Sequence, residues 1–393
     1  MNPLVRQFRD FFVSLKLTVV LLALGIVMIF WATLDQTDLG VWGVQQKFFH
    51  SFFVLERIPG TQIPAPVFPG GYFIGGLLFI NLISAHCYRF KYTWRKTGIW
   101  LTHAGLILLL LGELLSGIWQ QDDQISFREG ETRNYAESLR DNELAITDVT
   151  DPKTDDVVVI PEDVLARGEA IQHPKLPFRV VPRLYYPNAD LQQPAANTPP
   201  SLATQGPPFL RTLVPVPLPL TYKENERNLP AAYVELVGAD GSLGTWIVST
   251  ETPMPQHFTY DGRSWKIVLR FRRDYLPVAL TLLKFSHDIY PGTDIPKNFS
   301  SRVRLGGSAT ADNREALIYM NNPLRTAGRT FYQASFDPND AKATVLQVVR
   351  NPSWTIPYVS CAMMALGLVF QFGLHLVGFA RRRSRPALSP VRP

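Results

Sequence analysis

Four stretches of the chain are apolar almost without interruption: residues 11–34, 72–88, 98–119 and 354–380. Each is about 17 to 25 residues long, the length at which a helix crosses a hydrocarbon core. The second is the shortest and carries Asn81 and Ser84. Trp31, Tyr72, Phe73, Trp94, Trp100, Trp119, Trp354 and Tyr358 fall at or near the ends of these runs, where an amphipathic ring gains from both phases. The pattern predicts a membrane protein with four transmembrane α-helices, three N-terminal and one C-terminal.

Residues 120–353 have a different period. Short segments at 156–160, 178–186, 232–237, 245–249, 265–272, 278–285, 301–305, 315–320, 330–335 and 344–350 alternate, or are rich in β-branched and aromatic residues, and are separated by Gly, Pro and Asn/Asp turns. They predict a large extracytoplasmic β-rich domain, a sandwich or open barrel of antiparallel strands. Residues 187–219, rich in Pro, Ala, Gln and Thr, have too little periodic apolar surface for a regular element and are expected to form a mobile excursion. Residues 35–71 form the external loop between the first two spans. Within it Trp42, Gln45, Phe48, Phe49, Phe52 and Phe53 recur near three- and four-residue spacing, predicting a short helix whose aromatic face lies on the membrane or on the large domain.

Charge turns this pattern into a topology. Arg6, Arg9 and Lys16 flank the first span, Arg89, Lys91, Arg95 and Lys96 fill the loop between the second and third, and Arg381, Arg382, Arg383, Arg385 and Arg392 follow the fourth. Basic loops stay in the cytoplasm, which puts both termini there. The chain is then divided into 1–34 (N-terminus and first span), 35–71 (external loop), 72–119 (two spans), 120–353 (β domain) and 354–393 (last span and basic tail). These clusters hold 12 of the 39 basic residues and one acid, Asp10, so the remainder carries 27 basic against 32 acidic residues. The formal net charge of +6 is therefore a topology signal, and nucleic acid is excluded as a partner.

Lys16 at the start of the first run, the length of that run and the lack of a clear small-x-small site before Asp35 argue against a cleaved signal peptide. Cys87 and Cys361 lie in or beside spans, so the β domain holds no cysteine and its stability rests on burial. No P-loop, dinucleotide fingerprint, H-x-x-x-H, C-x-x-C or H-E-x-x-H occurs, and the chain encodes no local zinc or nucleotide site.

Candidate chemistry lies in histidines beside the basic clusters. By helix rise, His103 sits about 7 Å into the third span, His375 about 9 Å inside the end of the fourth, and His86 about 4 to 5 Å from its basic loop. Ionisable groups inside spans usually face a bundle interior or a wet cavity. Imidazole is a common metal ligand and a usual axial ligand of haem iron, so His103 and His375, from different helices at matched depth, suit a haem; interhelix hydrogen bonding is the other reading. His86 is shallow enough to reach the headgroups. Glu113 lies about 15 Å beyond His103 toward the external side and pairs with a partner subunit, is protonated, or reaches outward; Cys87 is a membrane-buried thiol, a reactive thiol or a haem neighbour. His50, His173, His257 and His287 read as surface or structural residues.

Several stretches carry a family resemblance: SLKLTVVLLALG (residues 14–25), THAGLILLLLGELLSG (102–117), DIYPGTDIPKNFSSRVRL (288–305), IYMNNPLRTAGRTFYQASFDP (318–338) and TVLQVVRNPSWTIPYVSCAMMALGLVFQF (344–372). The chain resembles the ResB, or CcsB, family of System II cytochrome c biogenesis proteins over nearly its whole length. The resemblance implies an inner-membrane protein working with a Trp-rich membrane partner like CcsA, moving haem b outward as transient cargo for attachment to the Cys-x-x-Cys-His motif of an apocytochrome c. It further implies that His103, in T-H-A-G, is an axial haem ligand at the cytoplasmic entry; His375 has a less certain counterpart. Because the Trp-rich segment is absent here, this chain is expected to be at most the non-catalytic subunit of a haem lyase complex, and a scaffold that binds no haem is the alternative.

Overall fold

The computed structural model describes residues 3–383 except 59, 62, 89–90, 195–198, 224–225, 293–295, 307–312 and 338–339. Arg89, Arg385 and Arg392 of the basic clusters and part of the Pro-rich stretch lie outside the described residues. In chain order the elements are α1 (Pro3–Phe12), α2 (Leu15–Val44), β1 (Phe53–Arg57), β2 (Pro64–Pro69), α3 (Gly71–Tyr88) and α4 (Thr97–Trp119). There follow β3 (Gln121–Arg128), β4 (Thr132–Asp148), β5 (Asp156–Pro161), α5 (Glu162–Leu165), β6 (Arg179–Tyr186), β7 (Ala189–Gln192), α6 (Pro208–Arg211), β8 (Val214–Pro217), β9 (Ala231–Gly238), β10 (Gly241–Ser249) and β11 (Gln256–Tyr260). The last are β12 (Arg263–Ile289), β13 (Pro296–Gly306), β14 (Glu315–Tyr319), β15 (Leu324–Thr326), β16 (Arg329–Asp337), β17 (Asp340–Arg350) and α7 (Ile356–Arg383). Two compact units result: a helical one, Met1–Gln121 with Arg350–Pro393, and a β unit, Asp122–Val349.

In the helical unit, four helices are long and apolar enough to cross a membrane, as the hydrophobic pattern predicts. The tightest contact joins α4 to α7. Gly98, Gly105 and Gly112 recur every seven residues on one face of α4, and a Cβ at each would strike α7: at Gly98 it would stand 2.5 Å from the Gly367 carbonyl oxygen, at Gly105 2.7 Å from Met364 Cγ, at Gly112 2.6 Å from Ile356 Cγ2. Small residues let helix backbones approach closely where burial from water supplies no drive. At one end of this pair Asn351 Nδ2 lies 3.0 Å from Ser116 Oγ and 3.2 Å from Gln120 Oε1, closing the point where the chain leaves α4 and re-enters α7.

The first span differs from its expected limits. The helix breaks at Val13–Ser14, and Asn81 of α3, which is buried, donates to the carbonyls of Phe12 (2.7 Å) and Ser14 (3.2 Å) while accepting from Thr18 Oγ1 (2.7 Å). The polar residue that weakened the second apolar run thus satisfies backbone left open by the break. Residues 35–39, expected in a loop, continue α2 as helix. The chain reverses at Gly40, whose φ of 69° suits glycine, so that Lys47 reaches back to Asp35 at 2.7 Å and also to Glu56 at 2.5 Å. Consequently the aromatic run packs inside this unit: Phe48 is fully buried with its ring 5.5 Å from Trp31, whereas Phe52 and Phe53 are exposed beyond the helix.

The β unit is barrel-like. Its main sheet has the order β14-β13-β12-β4-β3-β17-β16-β15, with β5 and β11 pairing β4 and β12, and it curls until β14 approaches β16. Ser301 of β13 bridges the interior to Gln333 of β16 (2.7 Å) and Thr344 of β17 (3.0 Å). β12 is one 27-residue strand where the sequence pattern suggested two, and it runs through two separate cores. Its first half packs Trp265, Ile267 and Leu269 with Leu144, Ile146, Phe178 and Trp246; its second packs Leu276, Val278, Leu280 and Leu282 with Ile125, Phe127, Val303 and Phe331.

Between the cores β12 is charged. Arg270 pairs with Glu143 (2.9 Å), Arg272 with Asp141 (3.0 Å) and Asp123 (3.5 Å), and Arg273 with Glu137 (3.1 Å), all from the β3–β4 side. The register shifts within the belt, between Phe271 and Arg273, and again beyond it, between Tyr275 and Leu280, where Pro277, which has no N–H to give, falls.

The Pro-rich stretch is more regular than expected. β7 and β8 form a hairpin, and Leu210 of α6 packs on Tyr233 and Ile247, the face of the β10-β9-β6 sheet that the main core leaves open. A sheet with both faces apolar needs a second cover, and this segment supplies it.

Two outcomes follow. Gly98→Leu must push against the backbones of Gly367 and Gln371, which cannot rotate away, so folded yield in detergent falls sharply, while Gly25→Leu, with open space around it, leaves yield unchanged. Asp123 is buried, and burial raises its pKa against the opposing pull of Arg272. An acid with a raised folded pKa destabilises the fold when ionised and ceases to do so as pH falls through that pKa. Relative to Asp123→Asn, the native protein therefore gains stability on acidification from neutral pH, readable from unfolding curves followed by the buried Trp246 and Trp265.

Candidate functional site

α4 is turned by its glycine face toward α7, and the opposite face carries His103. That face meets α3, where the rings of His86 and His103 are in contact, with centres 4.8 Å apart and planes inclined at 46°. Each Nδ1 lies on the carbonyl oxygen one turn earlier: His86 on Leu82 at 2.9 Å, His103 on Ile99 at 2.7 Å. A carbonyl only accepts, so Nδ1 must carry the proton and the lone pair of each neutral ring is at Nε2. Fixing one ring nitrogen through a backbone carbonyl orients the other as a ligand.

His375 is placed differently. It is exposed on α7, and its Nε2 lies 3.1 Å from the side-chain amide nitrogen of Gln371, so this nitrogen is engaged within its own helix. The ring contact is thus between His86 and His103, and among the described residues His375 is bonded to Gln371 and not paired with His103 as matched depth suggests. Depth along the helices was readable in the sequence; rotation of each helix about its axis was not. The signal that would have found the pair is the glycine heptad, which fixes the buried face of α4 about 180° from His103.

The donor set suits haem iron, which takes imidazole nitrogen. Two imidazoles on opposite faces of one metal would hold their ring centres roughly 6 Å apart, from metal–nitrogen bonds of about 2 Å. At 4.8 Å the rings are too close for that. As they stand the two rings cannot share an iron, and His86 Nε2 is buried, so ligation by both requires α3 and α4 to move apart. Among the described residues no group of three or more His, Cys, Asp or Glu side chains is arranged to hold a metal ion. Cys87 and Cys361 are both exposed and unbridged.

The β unit holds a groove of about 250 Å³ beside the charged belt, lined by Glu137, Thr250, Lys266, Arg270, Phe271 and Arg273. Its cations are answered: Lys266 by Asp155 (3.3 Å), Arg270 by Glu143, Arg273 by Glu137 and by the face of Tyr135, 4.0 Å from the guanidinium. No nucleophile, base and orienting group meet there. His287, expected as a surface or structural residue, is half-buried between Phe299 and Phe336, with ring centres 4.7 and 4.4 Å away.

Four apolar helices with a β unit inserted between the third and fourth define a multi-pass membrane protein. Comparison with known proteins gives two findings: a model of the ResB-like family matches residues 241–345, and protein NrfI of Wolinella succinogenes is 24% identical over 313 residues. That alignment covers 75% of this chain and 29% of NrfI, so the chain spans less than a third of the length of that relative. Both bear out the ResB resemblance, and the matched segment runs from β10 into β17.

Proposed function

We propose that this chain serves cytochrome c biogenesis as the haem-handling subunit of a membrane complex, with His103 and His86 offering imidazole nitrogen to haem at the cytoplasmic side of an inner membrane. The observation that carries this reading is the imidazole pair, in which both Nδ1 protons are tied to carbonyls and both lone pairs lie at Nε2. The ResB-like match supports the pathway. Haem is cargo in this reading, taken up by the pair and passed on.

Thioether formation needs a positioned thiol, a reduced haem and a held acceptor. Since the groove of the β unit assembles no reacting groups, joining haem to an apocytochrome c falls to a Trp-rich partner like CcsA, and the β unit on the extracytoplasmic side serves docking. His375, exposed and engaged by Gln371, takes no part in the first capture.

Purification from a haem-replete host tests this through visible spectra. His103→Ala and His86→Ala are each expected to lower bound haem at least about tenfold, the scale on which even supporting groups of a metal ligand act. Added imidazole should restore the spectrum of His103→Ala, and His375→Ala should match the native protein. Unchanged haem content in His103→Ala would overturn the assignment and leave the non-haem scaffold.

A further inference from the structure

Glu113 is a carboxylate within the apolar part of α4, six residues and so about 9 Å before the end of the helix at Trp119. It is exposed, and among the described residues no hydrogen bond or ion pair reaches it. Such groups in membrane spans face a bundle interior, a wet cavity or an opposite charge. Among the described residues none of these is formed around Glu113. At 100° per residue it stands clear of the Gly112 face that α7 covers and of the His103 face that meets α3.

The surface around it is shaped. Leu106, one turn-pair earlier, and Gly117, one turn later, lie on the same side of α4 and are exposed, as is Leu114 beside them. Gly117 carries no side chain there, and a Cβ would come into ordinary contact with His50 Nε2 at 3.7 Å and the Tyr72 hydroxyl at 3.9 Å, so the surface is low beside Glu113. An apolar stripe with one acid and one small residue is a surface on which another helix can seat a side chain.

We infer that the Leu106–Glu113–Gly117 face of α4 docks a membrane-spanning helix of a different protein, and that this helix carries Arg, Lys or His at the depth of Glu113. Charge selects the occupant. A second copy of this chain, meeting it through a two-fold contact, would bring Glu113 against Glu113, two like charges in a medium that strengthens their repulsion. A cation on the partner removes the cost of the carboxylate, and Gly117 admits a side chain beside it. The inference rests on the proposed function only in taking the chain to act within a membrane complex.

The test is a photo-crosslinking residue, p-benzoylphenylalanine, placed at Leu106, Leu114 or Gly117 of the full chain in membranes of its own host, with Val369 on the exposed side of α7 as control. Peptide mass spectrometry should find, from the α4 positions and not from Val369, one foreign membrane-spanning segment with a basic residue within a turn of the link. Glu113→Leu and Glu113→Lys should lower that yield at least tenfold, Glu113→Gln less, and a cation-to-Glu change in the partner should restore it with Glu113→Lys. Links to lipid alone, to a second copy, or to a segment lacking a cation would overturn the inference, as would undiminished yield in both Glu113→Leu and Glu113→Lys. None of these readouts depends on haem, so loss of the haem assignment with retention of the crosslink, or the reverse, separates the two.

Discussion

The close backbone approach of α4 and α7 governs the helical unit. It is possible only because residues 98, 105 and 112 are glycine, and at Gly98 the opposing atoms are themselves backbone, leaving no rotamer to absorb a side chain. A seven-residue repeat keeps one face of a helix on its neighbour, so the contact fixes the rotation of α4 as well as its distance. With that rotation set, His103 has to point away from α7 and toward α3, and Glu113 has to stand between the two. Both the imidazole pair and the unpartnered carboxylate are consequences of where three glycines fall.

In the β unit the corresponding constraint is the length of β12. A strand shared by two cores couples them, but the charged segment 270–274 lies between the two apolar clusters, with Glu143 itself buried and Arg270 largely so. The ion pairs to Glu143, Asp141, Asp123 and Glu137 make that crossing tolerable, since a buried Arg270 without Glu143 would leave an uncompensated charge. One register shift falls here, between Phe271 and Arg273, and on either side of it Arg270 stands opposite Glu143 and Arg273 opposite Glu137.

The sequence shows what length and period encode. Spans long enough for a membrane are legible because nothing else needs 20 apolar residues, and strands such as β5, β9 and β17 are legible from β-branched alternation. β4 is not, despite its central place: its first half reads TRNYAESLRDNE, whose charges suggest a solvated face until β12 supplies their counter-charges from more than a hundred residues away. The Pro-rich stretch fails for the opposite reason. It has no core of its own and takes its order from the open face of β9 and β10. At the candidate site, depth was computable from helix rise, so three histidines could be proposed; which two meet depends on helix rotation, which lies in the spacing of glycines and not in the histidines themselves.

The two interfaces of α4 differ in kind. Against α7 the helix is locked backbone to backbone; against α3 it meets at far fewer points, of which the His86–His103 contact is one. Rings 4.8 Å apart cannot hold one iron between them, and the separation they would need is only an ångström or two more. Movement on that scale is available at the α3 side and not at the α7 side, because α3 presents no glycine seam to α4. For a haem handed on as cargo, as proposed above, such asymmetry is an advantage. His103 rides on the helix locked to α7 and His86 on the helix that meets α4 at fewer points, so a change in their separation would be taken up on the α3 side.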